Sequence, residues 1–192
     1  MALTIPPAIA TPRLLLRPFV EDDFEPFFES CVLDPHVMAF YHAYRESHTA
    51  TERRARARRD FLDHFTQGSR EYGYICWTLT PGPAIDLAPA TFLGWCGILS
   101  SALDHAEWGP ELAFMLARPW QGRGLATEAA AAVMADAWHR FSLPRIHAVV
   151  DTPNHASRRV LERIGMRLEG PVVVYGSADM LVYAIEVPVE AA

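Results

Sequence analysis

The run Glu111-Leu-Ala-Phe-Met-Leu-Ala-Arg-Pro-Trp-Gln-Gly-Arg-Gly-Leu-Ala-Thr-Glu128 decides how the rest of the chain is read. Glu111 to Ala117 is mostly apolar and reads as a strand. Gly122 and Gly124 punctuate the loop that follows. Leu125 to Phe141 then reads as a strong helix, with seven alanines between Ala126 and Ala137. A strand that turns through glycines into a helix presents free backbone N–H groups and the positive end of the helix dipole to whatever lies before it. Glycines also let the backbone fold tightly and let an anion approach. That arrangement predicts a phosphate or pyrophosphate site. The same pattern also serves as a plain helix cap with glycines for turn geometry.

Two familiar phosphate loops are excluded or disfavoured. A Walker A loop requires Gly-Lys-Ser/Thr, and the chain has no such triplet. A dinucleotide fingerprint could begin at Gly122 and Gly124, with Asp151 as the ribose-binding acid, but Thr127 stands at its third glycine. Arg118 to Gln121 also intervene after the strand, where that fingerprint follows its strand at once.

Outward from this unit the chain alternates in a regular way. Residues 1–12 carry Pro6, Pro7 and Pro12 and read as an extended lead-in. Strands are expected at Leu14–Arg17, Tyr72–Thr80, Thr91–Ser100, Glu111–Ala117, Arg145–Asp151, Arg167–Tyr175 and Asp179–Val187. Helices are expected at Glu21–Leu33, Thr49–Gln67, Leu125–Phe141 and His155–Ile164, with Gly68 and Gly165 as stop signals. The order β-α-α-β-β-β-α-β-α-β-β predicts an α/β (α+β) fold: a mixed, mostly antiparallel sheet of about seven strands with helices on both faces. Its β-α-β stretch from Glu111 to Asp151 predicts one parallel crossover. Residues 13–188 read as a single domain, since no repeat or linker divides them.

Composition bounds the partners. The chain has 192 residues, with 17 Lys and Arg against 23 Asp and Glu, a formal charge of −6. Such a chain is a poor default binder of nucleic acid. The Arg-rich run Glu52 to Arg59 holds five arginines and reads as a solvated helix face, with an acidic partner as the other reading. Cys31, Cys76 and Cys96 are odd in number and form no Cys-x-x-Cys pair, which predicts no disulfide framework and a reducing, cytoplasmic setting. No signal-peptide pattern and no apolar run near the ~20 residues of a membrane span is apparent.

The loop sequence Gln121-Gly-Arg-Gly-Leu-Ala126 fits the Q/R-x-x-G-x-G/A signature of the GNAT superfamily of acyl-CoA-dependent N-acetyltransferases. Thr11-Pro-Arg-Leu-Leu-Leu-Arg-Pro18 resembles the opening strand of its ribosomal-protein-alanine N-acetyltransferase branch, the RimJ/RimL-like enzymes. Glu111-Leu-Ala-Phe-Met-Leu116 resembles that branch's E-I-G-Y-x-L strand. Asn154 to Ser157, followed by Arg159 to Met166, resembles its N-x-x-S-x-R-V-L-E-K-x-G-F segment. Together these motifs extend over most of residues 11–187.

The resemblance implies acetyl-CoA as co-substrate and direct attack by a primary amine in a ternary complex, with no metal. By it, Gln121, Gly122, Arg123, Gly124, Leu125 and Ala126 would wrap the pyrophosphate, and Thr127 is a further cofactor-binding candidate. Phe114, Met115 and Leu116 would run beside the pantetheine arm, where this strand splays from Arg145–Val150. Asn154 and Ser157 would contact the cofactor, and they equally suit a helix N-cap. Glu111 is the candidate general base, with a solvated strand-edge Glu as the bland alternative. The family's Tyr acid falls at Leu161, which leaves Ser157 or a bound water as substitute. Tyr175 and Tyr183 read as packing or acceptor-site lining.

The base matters to different degrees for different acceptors. An α-amino group with a pKa near 7.7–8.0 costs roughly 1 kcal/mol to deprotonate at neutral pH, and a lysine amine near 10.4 about 4–5 kcal/mol. The acceptor expected from the branch is a protein N-terminal amine. The alternatives are a small-molecule amine (amino acid, polyamine or aminoglycoside) and a non-catalytic acyl-CoA-binding module. The candidate substrate-binding residues are Phe40, Tyr41, Trp95 and Glu111. His36, His42, Tyr44, His105 and Trp108 are further candidates for the same pocket. His36, His42 and His48 lie six residues apart, a spacing that shares no helix face and gives no metal motif. A monomer or a homodimer is expected, without membrane or direct nucleic-acid contact.

Overall fold

In the computed structural model, the protein is described at residues 7–42, 49–62, 65, 75–99, 108–141 and 143–186. Among these residues eight strands form one sheet: β1 (Ile9–Ala10), β2 (Leu14–Pro18), β3 (Ile75–Pro81), β4 (Gly94–Leu99), β5 (Glu111–Leu116), β6 (Arg145–Asp151), β7 (Arg167–Val174) and β8 (Ser177–Glu186). Their order is β1-β2-β3-β4-β5-β6-β8-β7. Every pairing is antiparallel except β5 with β6. The sheet has one strand more than the seven expected. Ile9 and Ala10, read as lead-in, pair with Leu16 and Leu15 because Thr11 turns the chain back onto β2, its N–H donating to the Leu14 carbonyl and its hydroxyl oxygen accepting from the Leu14 N–H.

Among the described residues four helices flank the sheet: α1 (Phe24–Phe27), α2 (Ala50–Asp60), α3 (Leu125–Phe141) and α4 (His155–Arg163). α1 is the middle of an irregular run, entered through a 3-10 turn at Glu21–Asp23 and left through a π turn at Phe28–Val32. A regular helix was expected over this stretch. Pro26 has no N–H to close an α turn onto Asp22. The wide turn that follows lets Phe24, Phe27, Phe28, Cys31 and Val32 all face inwards.

Alternation along the strands sorts the interior into two layers. Leu14, Leu16, Leu79, Ile98, Leu112, Ile146 and Val150 meet α3 through Ala129, Ala130, Val133 and Ala137, all fully buried alanines or valine. Small side chains let that helix lie close on the sheet. On the other face Phe24, Phe27, Phe28, Phe61, Phe65, Trp95 and Met115 form an aromatic layer. Phe19 stacks on Phe65 at 4.6 Å between centroids, and Phe61 meets Phe24 edge-on at 5.4 Å.

The arginine run has a structural task that neither reading of it anticipated. Arg54 and Arg58 pair with Glu25 and Glu21 and lie over Phe24, at 5.2 and 4.8 Å from its centroid. They clamp α2 onto the α1 run by charge and cation–π contact together. The three cysteines are buried and unbridged, and burial pushes their thiols up, Cys31 to about 12. Among the described residues no helix is long and apolar enough to cross a membrane.

Candidate active site

β5 and β6 meet at one point. Glu111 pairs with His147, and the His147 N–H donates to the Pro110 carbonyl at 3.0 Å. From there the ladder stops. β5 stays paired along its whole length with β4, and β6 stays paired with β8 from Arg145 to Asp151. The two strands therefore diverge from Glu111 towards their C-terminal ends and leave a wedge between them. Six residues of β5 make that wedge about 20 Å long.

The glycine loop stands at the open end. Gly122 and Gly124 have φ of 74° and 77°, the left-handed region that side chains resist. The Gln121 amide donates to the Leu116 carbonyl at 2.9 Å and ties the loop to the end of β5. The Arg13 guanidinium donates to the Arg123 carbonyl at 2.7 Å, and Arg123 itself lies over Trp120 at 5.0 Å. The Glu128 N–H is bonded to the Gly124 carbonyl, so the N–H groups of Leu125, Ala126 and Thr127 precede the first intrahelical bond. The Thr127 hydroxyl is buried with no hydrogen-bond partner among the described residues. A buried unpaired hydroxyl beside a helix N-terminus fits a phosphate oxygen. Leu116 and Leu125 are buried, so only their backbones can serve a cofactor. Phe114 packs towards the α3 layer and Met115 towards the aromatic layer, with Ala126 half-buried on the former.

A Cβ at Gly122 would meet nothing within 4 Å, and at Gly124 only the Arg13 guanidinium at 3.5 Å. The cost of substitution is therefore backbone strain, about 1–2 kcal/mol. Gly124→Val is expected to lower the unfolding free energy by that amount, read as a lower urea midpoint, and to weaken acetyl-CoA binding in calorimetry. Unchanged affinity would remove the loop from the site.

Arg13 is a residue that sequence reasoning passed over. Glu128, in the first turn of α3, accepts from the Thr11 hydroxyl at 2.6 Å, from the Arg13 N–H at 2.9 Å and from the Arg13 guanidinium at 2.6 Å. Burial pushes the Glu128 carboxyl up, and these three donors outweigh it and hold the group below its ordinary value. The clasp is then complete above the unfolded carboxylate's pKa of roughly 4.3 and is lost as pH falls through the lower folded value. The stability gap between the wild type and Glu128→Gln is expected to stay constant from pH 7 to about 5 and to close on further acidification. A gap independent of pH would contradict the clasp.

At the closed end of the wedge Glu111 is 5% exposed. The Tyr175 hydroxyl donates to its Oε2 at 3.0 Å. Tyr41 is half-buried nearby, and burial, then Asp60 and Glu111, push its phenol up. The His42 ring Nε2 lies 2.7 Å from Asp151 Oδ1, with both side chains buried. Asp151, considered above as a ribose acid, thus holds the segment that carries Tyr41 and His42 against the end of β6. Trp95 is 2% exposed and packs on Phe65 at 4.9 Å, so it belongs to the aromatic layer beneath the site. Phe40 is exposed on the 3-10 turn Val37–Phe40. Trp108 packs on His147 at 6.3 Å. Tyr44, His48 and His105 lie outside the described residues.

Asn154 caps α4, its Oδ1 accepting from the Ser157 N–H at 3.2 Å. A cofactor role for Asn154 stays open to its amide nitrogen and to the second lone pair of Oδ1. Ser157 is half-buried in the first turn of α4, beyond the C-terminal end of β6 and so at the other end of the wedge from Glu111. Leu161 is 1% exposed and fills the core.

The family model described as the acetyltransferase (GNAT) domain matches residues 13–167. The chain belongs to the GNAT acetyltransferase family. As a GNAT protein it is an acyltransferase. It is 28% identical over 174 residues to the uncharacterized protein YkkB of Bacillus subtilis (strain 168), covering 87% of this chain and 93% of that one. The crystal structure of an acetyltransferase from Agrobacterium tumefaciens shares its fold with a TM-score of 0.74 and 24% identity, over 94% of this chain and 95% of the other. RimL, described as a ribosomal L7/L12 alpha-N-protein acetyltransferase in complex with coenzyme A, shares the fold with a TM-score of 0.68 and 16% identity, over 97% and 98%.

Proposed function

We propose that this GNAT enzyme, acting as one domain over residues 13–188 in a reducing cytoplasm, acetylates a protein N-terminal amine with acetyl-CoA as donor. The observation that carries the reading is a buried carboxylate, Glu111, at the point where β5 and β6 part. Acetyl-CoA, when bound, supplies a thioester-activated acetyl group. Gln121 to Thr127 would hold its pyrophosphate through backbone N–H groups and the Thr127 hydroxyl, with Arg123 and Arg13 adding positive charge. Phe114 to Leu116 would guide the pantetheine arm towards Glu111.

Glu111 takes the proton of the incoming ammonium, an N–H bond breaking as an O–H bond forms on the carboxylate. Burial pushes up the phenols of Tyr41 and Tyr175, so both keep their protons near neutral pH, and the Tyr175 hydroxyl donates to that carboxylate. An α-amine loses that proton at neutral pH for only roughly 1 kcal/mol, so most of the gain from a buried, positioned carboxylate comes as a general base during attack on the thioester. The likeness to RimL supports a polypeptide N-terminus as acceptor.

The test is thiol release from acetyl-CoA with peptides bearing free N-termini, the same peptides blocked at the N-terminus but carrying lysine, and small amines. Turnover with free N-termini alone is expected. Turnover with polyamines, aminoglycosides or free amino acids alone would move the acceptor to that class.

A further inference from the structure

The β7–β8 hairpin closes through a two-residue turn, Tyr175-Gly176, between the paired residues Val174 and Ser177. Both turn residues have positive φ, 52° at Tyr175 and 70° at Gly176. Such turns favour Asn, Asp or Gly at the first position, because those residues tolerate the left-handed conformation. Among the described residues Tyr175 is the one non-glycine residue held there. Its side chain is half exposed, so packing does not account for a tyrosine at this place. Its hydroxyl, however, reaches 64 positions back along the chain to Glu111 Oε2, at 3.0 Å.

Resting on the reading of Glu111 as the base, we propose that Tyr175 is the positioning residue for Glu111, and that the β7–β8 hairpin is thereby part of the acetyl-transfer site. The phenol donates to the carboxylate and keeps its own proton. It fixes the rotation of the carboxylate on its strand and stabilises its charged form. Among the described residues, the ionisable groups that face Glu111 include Tyr175 from the hairpin, Tyr41 from the segment after α1 and His147 across on β6. Burial lowers His147, so it brings no charge to the site near neutral pH. Asp60 and Cys76 act on Tyr41, and His42 and Asp151 satisfy each other at the far end of β6.

Tyr175→Phe removes the donor and keeps the ring. It is expected to lower kcat/KM roughly tenfold to a hundredfold, the range of a hydrogen bond to a charged group. Acetyl-CoA affinity is expected to stay as in the wild type. The acidic limb of the kcat/KM profile is expected to move to higher pH, because the charged carboxylate loses a donor. Tyr175→Asn suits the turn backbone better and is expected to be at least as stable and at least as impaired. Wild-type kcat/KM and an unshifted acidic limb in Tyr175→Phe would overturn the proposal, as would full activity in Tyr175→Asn.

A double-mutant cycle of Tyr175→Phe with Glu111→Ala, each of which removes the hydrogen bond, reads the contact on urea unfolding without any acceptor. Non-additive effects are expected, and strict additivity would count against the contact. If Glu111→Gln abolishes turnover while Tyr175→Phe leaves it intact, this proposal falls and the reading of Glu111 stands. If Glu111→Gln keeps the wild-type rate, both fall.

Discussion

Glu111→Gln is expected to lower kcat about 10²–10⁴-fold, the usual contribution of a positioned general base. The substitution keeps the size of the side chain and an oxygen that can accept from the Tyr175 hydroxyl, so the fold and the acetyl-CoA affinity should survive. It removes the one property the chemistry needs, an anionic oxygen that can take a proton. The deficit should depend on pH in a defined way. An α-amine acceptor loses its own proton as pH rises through about 7.7–8.0, so the gap between variant and wild type should narrow above that range. For a lysine-like acceptor near 10.4 the gap should persist well past pH 9. The comparison therefore reports both the role of Glu111 and the class of acceptor. A wild-type rate and profile would show that proton removal occurs elsewhere.

Asp23→Ala should produce the largest loss of stability. Asp23 is 3% exposed, and its carboxylate accepts two hydrogen bonds from Arg17 at 2.7 Å, one from the Thr78 hydroxyl at 2.9 Å and one from the Val20 N–H at 2.9 Å. Those donors come from β2, β3 and the turn into α1, so one carboxylate joins the helical run to the sheet. The hydrogen bonds to Asp23 push the Arg17 guanidinium up, and an arginine stays protonated at ordinary pH even without that partner. Removing the carboxylate strands that cation and two neutral donors in a largely buried seam, at a cost of about 3–5 kcal/mol. Against a typical domain stability of roughly 5–15 kcal/mol this is a large fraction, readable as a fall in the urea midpoint. Because the α1 run leads into Tyr41 and His42, KM for the amine should rise as well. A loss under about 1 kcal/mol would mean that the network contributes no more than a surface pair.

The sequence carried the cofactor half of the site further than the acceptor half, for physical reasons. α3 and β6 run from Leu125 to Phe141 and from Arg145 to Asp151, as expected, because glycine punctuation, alanine content and apolar runs act locally. The loop from Gln121 to Gly124 is legible for the same reason: positive φ at two glycines is written in the residue type. β1 escaped because two residues make no periodic pattern. Glu111 was visible as a carboxylate opening a strand, but its environment was not. Tyr175, Tyr41 and the His42–Asp151 pair reach the site across long stretches of chain. A tyrosine bound to a carboxylate looks in sequence like any packing tyrosine. The available signal was the turn itself, since Tyr175 precedes Gly176 between two β-like runs at a position that favours Asn. Arg13 was hidden in the same way, its partner Glu128 lying 115 positions away.

Thermal unfolding with and without acetyl-CoA tests most directly whether the wedge between β5 and β6, with its glycine loop, is a cofactor site. At about 100 times the dissociation constant the ligand should stabilise the fold by about 2.7 kcal/mol, seen as a clear upward shift of the midpoint. An unchanged midpoint at millimolar acetyl-CoA would contradict the account, leaving the loop as a helix cap and Glu111 without a donor to serve.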